Sequence, residues 1–256
     1  MTSFQSNNLN DLGIKYSNAH PFPHISIDDF FIPDELSVIA DEISSHTIWE
    51  GIKEFEGAKA KRWQSQWESI PKATRQLLTE LNRPNFINFL ESVTGEKNLI
   101  PDPYLEGGGI HSTGKNGFLK LHTDFNWHKK LKLFRRINVL IYLNKHWDDN
   151  WEGHLELATQ EGSSKSLRIE KRIAPIFNRL VIFTTNEKSF HGHSEPLKTP
   201  DGIFRNSLAL YYYTSEIRHK KRENTNYREI DGDPLIPEGK SKLSKVWRKL
   251  KYRFFD

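Results

Sequence analysis

The chain has 256 residues, enough for a full core as one large domain or one domain with a helical appendage, and carries a net charge of +4. It has no Cys, which excludes disulfides, thiolate metal ligands and a Cys nucleophile, and narrows any metal site to His, Asp and Glu, donors that suit Fe(II) better than structural zinc. No run of about eighteen apolar residues offers a membrane span, and MTSFQSNNLNDLG opens with no basic-then-apolar leader, so a cytoplasmic protein is expected.

Residues 1–20 are polar and read as a loose lead-in. PFPHISIDDFF (21–31) predicts a short strand. Pro33-Asp34-Glu35 then opens a helix whose Leu36, Ile39, Ala40 and Ile43 form one apolar stripe, with acidic residues placed favourably in its first turn. The stretch 45–70 has no clean period and predicts an irregular loop region with short strands. Two helices follow, 71–82 with Leu77, Leu78 and Leu81 inward, and 84–94 with Phe86, Phe89, Leu90 and Val93 inward; Gly95 stops the second. From Leu99 to Thr214 short strands recur at hairpin spacing. Gly107-Gly108-Gly109, Gly114-Lys115-Asn116-Gly117 and Asp148-Asp149-Asn150 are the turn signals. Such a strand series predicts an α+β, mainly β chain with a double-sheet jelly-roll core braced by the N-terminal helices.

After Thr214 the chain turns polar and basic. A linker is expected at 231–242. Leu243, Val246, Trp247, Leu250 and Phe254 recur at helical spacing and predict a basic amphipathic helix at 242–255. The expected division is therefore a lead-in at 1–20, a jelly-roll domain at 21–217 and an extension at 218–256. A basic tail can attract nucleic acid, but no base-stacking platform accompanies it, so nucleic acid is not the expected partner.

The chemistry concentrates in FLKLHTDFN (118–126) and NEKSFHGHSEPL (186–197). His122 and Asp124 stand at i and i+2 of a predicted strand, so both side chains project to one face, about 7 Å apart along the backbone. A third ligand must come from elsewhere, and His191 or His193 offers it. Two His and one carboxylate on one face of a metal is the arrangement of non-haem Fe(II) oxygenases. Asn138, on one strand face with Leu140 and Tyr142, is a buried amide that needs partners, either a cosubstrate or a metal ligand. Asn126, Trp127, His128, Arg135 and Arg136 follow the His-x-Asp motif and are candidates for the mouth of the site, although each also suits an ordinary surface.

The order His-x-Asp, an apolar strand with Tyr142-Leu143-Asn144, a Gly153-x-Leu155-Glu156-Leu157 segment, a second His, then Arg205-x-Ser207 resembles the Fe(II)/2-oxoglutarate-dependent dioxygenases, in their prolyl 4-hydroxylase-like branch. The resemblance covers about residues 21–214 and implies the same jelly roll. It implies Fe(II) on His122, Asp124 and His191, with 2-oxoglutarate and O₂ as cosubstrates and ascorbate as a reductant. His193 falls where the family commonly has an apolar residue, so it is a candidate pocket residue or rival ligand. The resemblance makes Arg205 the partner of the distal carboxylate of 2-oxoglutarate, with Ser207 beside it; a planar guanidinium fork suits that buried anion. Tyr142 matches a family Tyr that donates to the same carboxylate, against the alternative of a core aromatic, and His111 falls at another cosubstrate-contacting position. Asn126, Trp127 and Arg136 complete the candidate substrate pocket. The implied activity is oxidative decarboxylation of 2-oxoglutarate coupled to C–H hydroxylation, of a prolyl residue in a peptide or protein. A hydroxylase of a small molecule and a non-catalytic jelly-roll binding module are the alternatives.

Overall fold

The computed structural model describes residues 9–160, 166–217 and 220–228. The expected linker at 231–242 and helix at 242–255 lie outside the described residues. Among the described residues four α-helices form: α1 (Leu9–Ser17), α2 (Pro33–Ser44), α3 (Lys72–Leu81) and α4 (Pro84–Thr94). Prolines open α2 and α4, and α4 ends as expected at Gly95, whose φ of 73° is the left-handed conformation that glycine adopts without strain. Strands are β1 (His24–Ile27), β2 (Gly51–Phe55), β3 (Ala58–Gln64), β4 (Ile100–Pro101), β5 (Gly109–Thr123), β6 (Trp127–His128) and β7 (Leu133–Tyr142). They continue as β8 (Leu155–Gln160), β9 (Leu167–Ile173), β10 (Leu180–Thr184), β11 (Phe190–His193), β12 (Arg205–Thr214) and β13 (Asn226–Tyr227). None of the described helices is long and apolar enough to cross a membrane.

The main path of strands runs β1-β10-β7-β12-β5-β11-β8-β9, every neighbour antiparallel. This is the jelly-roll architecture. Hairpin spacing misled in one respect, because the long strands β7 and β8 follow each other in sequence but do not pair. The hinge of the path is β5. Its first half pairs with β12 and its second half with β11, so one strand serves both layers. The expected turn at Gly114–Gly117 is therefore a bend inside this strand. A Cβ on Gly117 would stand 2.7 Å from the Gly114 carbonyl oxygen, and Asn116 has a φ of 58°, so the backbone kinks there without reversing.

Side-chain alternation divides the β1-β10-β7-β12-β5 layer. Ile137, Val139 and Ile141 of β7, Leu180 and Ile182 of β10, and Leu208, Leu210 and Tyr212 of β12 join the helix residues Leu36, Ile39, Leu78, Leu81, Phe86 and Leu90 in the largest apolar cluster. The intervening residues of the same strands, among them Asn138, Leu140, Phe183, Ser207 and Tyr211, line a cavity between the layers. With both faces covered, the strands read in sequence as nearly continuous apolar runs.

Two expected boundaries move. Part of the loose lead-in is α1, which packs against α4 and buries Tyr16, whose hydroxyl hydrogen-bonds the Thr184 hydroxyl at 2.6 Å. Residues 220–228, assigned in the sequence to a separate extension, return to the sheet as β13 and pair with Thr123 and His122. The stretch 45–70 is more regular than expected, since β2 and β3 form a hairpin whose second strand joins β5. Tyr16→Ala should cost about 3 kcal/mol in urea denaturation, the range for truncating a large buried aromatic; no measurable change would mean that α1 is not docked.

Candidate active site

Antiparallel pairing of β11 with β5 sets His191 directly opposite His122, with ring centroids 4.5 Å apart. Asp124 follows the last residue of β5 and turns its carboxylate toward both rings. His122 Nε2 lies 3.5 Å from one carboxylate oxygen and His191 Nε2 3.3 Å from the other. One donor atom from each of the three residues falls within 4.8 Å of the rest. Each imidazole is held by its other nitrogen: His122 Nδ1 donates to the Lys120 carbonyl at 2.8 Å, and His191 Nδ1 to the Ser189 carbonyl at 3.0 Å. A carbonyl only accepts, so Nδ1 carries a proton in each ring and Nε2 is the atom left to face the centre. Burial and the neighbouring His191 hold the His122 pKa below its ordinary value, which favours the neutral ring a metal requires.

Asp124 is the costly member. Burial pushes its pKa up, but Arg135 foremost, with the two histidines, more than reverses this and holds the carboxyl well below the usual carboxylate range. Arg135 Nη2 donates to Asp124 Oδ2 at 2.9 Å and Asn138 Nδ2 to the same oxygen at 2.8 Å. Asn138 in turn accepts from Arg135 Nε at 2.7 Å and from the Thr185 hydroxyl at 3.0 Å. The guanidinium stacks 3.3 Å from the Tyr211 ring centroid. Of the two roles open to Asn138 in the sequence, it fills the one that orients a carboxylate.

Arg135, not Arg136, reaches the site, and the reason is a β-bulge. Strict alternation from Asn138 points Arg136 inward and Arg135 outward. Between Ile137, opposite Tyr212, and Arg135, opposite Tyr213, the register shifts by one residue. The shift swaps the two arginines. Arg136 instead donates to the Thr214 hydroxyl and the Glu216 carbonyl. The other expected mouth residues also have different work. Asn126 clamps the backbone of Lys220 and Arg222, and Trp127 packs on Phe134 beneath the Lys221 ammonium. None of Asn126, Trp127 and Arg136 lines the cavity.

Sequence reasoning missed the strap 220–228. Arg222 Nε donates to the Asp124 carbonyl at 2.9 Å, and the Tyr227 ring lies 5.1 Å from that of His122. Only the pairing of β13 reveals it.

At the other end of the cavity, Arg205 opens β12. Its Nε donates to the Gly153 carbonyl at 2.6 Å and one Nη to the Tyr142 hydroxyl at 3.0 Å, which leaves Nη1 free to face a ligand. Gly153 must be glycine: its φ is 75°, and a Cβ would sit 2.6 Å from Leu197 and 3.1 Å from the Arg205 stem. Tyr142 does not line the cavity. It lies in an apolar cluster with Phe22, Leu157 and Phe183, and its phenol touches Arg205. The core-aromatic alternative therefore describes its ring, and its hydroxyl positions the arginine. Ser207, His111 and His193 do line the cavity. His111 Nε2 donates to the Gly107 carbonyl at 3.0 Å. Both ring nitrogens of His193 are buried without a partner, and burial beside Arg205 and Lys61 holds its pKa well below the ordinary value.

Two imidazole Nε2 atoms and one carboxylate oxygen are a donor set that fits Fe(II). His193 stands outside this cluster.

Comparison with known proteins agrees with that chemistry. Residues 108–213 match the 2OG-Fe(II) oxygenase superfamily. Prolyl 3-hydroxylase OGFOD1 of Xenopus laevis is 27% identical over 224 residues, which cover 86% of this chain and 39% of that protein. The chain thus spans about two fifths of the length of this relative. A prolyl-4-hydroxylase of Pseudomonas putida shares the fold with a TM-score of 0.53 and 15% identity, over 80% of this chain and 98% of that one. A prolyl hydroxylase of Trichoplax adhaerens, solved with a peptide fragment of the hypoxia inducible factor oxygen degradation domain, has a TM-score of 0.54 and 18% identity, over 80% and 89% of the two chains.

Asn138→Leu should lower Mn(II) affinity by about 10–100-fold, the usual effect of removing a group that orients a ligand. Calorimetry on protein whose circular dichroism is unchanged checks it, and undiminished affinity would deny Asn138 that role.

Proposed function

We propose that the chain is a 2OG-Fe(II) oxygenase that hydroxylates a prolyl residue of a peptide or protein. In this reading His122, Asp124 and His191 hold Fe(II), and Arg205 anchors 2-oxoglutarate. One observation carries it: a His-Asp-His cluster and a buried arginine face each other across a single cavity. When bound, the metal with 2-oxoglutarate and O₂ supplies the oxidising power, giving succinate, CO₂ and a hydroxylated carbon.

The protein's own contribution is positioning and charge. His122 and His191 are fixed by their Nδ1 hydrogen bonds, so their metal-facing atoms need no reorientation on binding. Arg135 keeps Asp124 ionised in a buried setting. Arg205 receives the distal carboxylate of the cosubstrate away from water, where a fixed positive charge offsets desolvation. Tyr142 and the Gly153 carbonyl fix the direction of that guanidinium. Ser207, His111 and His193 are the polar groups available to the rest of the cosubstrate, and ascorbate is the reductant that keeps the metal as Fe(II). The prolyl acceptor is supported by the relatives, two named as prolyl hydroxylases of defined position and one solved with a peptide.

The test is succinate formation from 2-oxoglutarate in air with Fe(II) and ascorbate. Wild type should turn over slowly alone and faster with proline-containing peptides. His122→Ala should abolish turnover. Arg205→Ala should raise the KM for 2-oxoglutarate by about 10²–10³-fold, the equivalent of a broken buried pair. Stimulation by free amino acids in place of peptides would move the acceptor to a small molecule, and a wild type unable to bind metal or 2-oxoglutarate would end the oxygenase reading.

A further inference from the structure

We infer that the β2–β3 hairpin builds a second anion subsite in this cavity, in which Lys53 and Lys61 receive an acidic side chain of the peptide substrate. The inference rests on the reading above and extends it to the substrate's chemistry.

The register of four adjacent strands carries it. Lys53 of β2 lies opposite Lys61 of β3, Lys61 opposite Thr113 of β5, and Thr113 opposite Arg205 of β12. Residues directly opposite in a sheet project to the same face, and neighbouring strands lie about 4.8 Å apart. Three cations therefore form one row along the cavity wall, with the Lys61 backbone about 10 Å from that of Arg205 and Lys53 one strand further. Lys53, Lys61 and Arg205 all line the cavity that holds the His-Asp-His cluster. Arg62, between Lys61 and Trp63, points the other way, toward Ser112, Trp49 and Phe204.

Like charges directly opposite each other weaken a sheet, and burial raises that cost. Lys61 is only 6% exposed. Among the described residues neither ammonium has a hydrogen bond or a salt bridge, and Asp124 is the acid that attracts both from a distance; the Lys53 ammonium stands 5.7 Å from the Trp63 ring centroid. Burial, Lys53 and Arg205 push the Lys61 pKa well below the lysine range, and Asp124 offsets this only in part. An arrangement this unfavourable in the free protein is relieved by an anion.

The metal and cosubstrate do not provide that anion. Asp124, the acid of the cavity, is already paired with Arg135. One carboxylate of 2-oxoglutarate goes to the metal and the other to Arg205. The two lysines are left for the substrate. Lys53 is half-buried and Lys61 deep, so an acidic side chain enters from the Lys53 end. Beside that entrance Phe55, 46% exposed, packs edge-on against Tyr227 at 5.4 Å, an aromatic shelf suited to the apolar part of a peptide. The site thus selects a peptide with an Asp or Glu near the target residue.

The experiment uses the full chain loaded anaerobically with Fe(II) and 2-oxoglutarate and titrated by calorimetry. Probes are blocked Ala-rich peptides with one Pro and an Asp at each position up to two residues away, each with its Asn twin. At least one Asp peptide should bind about 10–100-fold tighter than its twin, the range for a hydrogen bond to a charged group. That preference should vanish in Lys53→Met and Lys61→Met. Equal binding of the twins, no binding by any peptide, or a preference that survives both substitutions overturns the subsite. Ligand-free Lys61→Met should also melt about 2–4 °C higher, since it removes an unpaired buried charge. A fall in Tm would make Lys61 a structural residue and overturn the inference. The 2-oxoglutarate affinity measured on the same samples separates the two readings. A loss in Lys61→Met as large as that in Arg205→Ala assigns Lys61 to the cosubstrate and overturns the subsite alone. A wild type that binds no 2-oxoglutarate overturns the proposed function itself.

Discussion

The site depends on the buried pair of Arg135 and Asp124. A carboxylate placed between two imidazoles in the interior would ordinarily take up a proton, because burial favours its neutral form. A protonated acid is a poor metal ligand. Arg135 prevents this from 2.9 Å, held by the Asn138 amide oxygen and the face of Tyr211. Removing one partner of such a pair typically costs about 3–5 kcal/mol, so fold and chemistry share this contact.

The jelly roll places these groups through strand pairing alone. Opposition of His191 and His122 comes from the β11–β5 ladder, and the row of cations from the β2–β3–β5–β12 ladder. Both ladders use β5, which crosses from one layer to the other at its Gly114–Gly117 bend. The β12 side of that bend carries Arg205 and the β11 side carries His191. The helices on the outer face stiffen the layer whose inner face bears Asn138 and Ser207.

Much of this was legible. The i, i+2 spacing of His122 and Asp124 survives into the structure, as do the apolar stripes of α2, α3 and α4 and the position of Arg205 at the start of a strand. What was illegible depended on events that break a period. The choice between Arg135 and Arg136 rests on one bulged residue, and no property of either side chain marks it. Gly114-Lys115-Asn116-Gly117 has the composition of a turn, and only pairing on both sides of β5 makes it a bend. Tyr16 lies in a polar stretch that reads as a loose lead-in, yet this one buried aromatic anchors α1. Arg222 and Tyr227 lie about a hundred residues from Asp124 and His122, and no local pattern joins them.

The most direct measurement is an anaerobic titration of 2-oxoglutarate into Fe(II)-loaded protein, followed by the visible charge-transfer absorption of the bound chelate. The account predicts saturation at one equivalent in the wild type, loss of the absorption in Asp124→Ala, and a shift to much higher concentration in Arg205→Ala. An Asp124→Ala protein that develops the same absorption at the same concentration would contradict it, for the chelate would then lie somewhere other than this cavity.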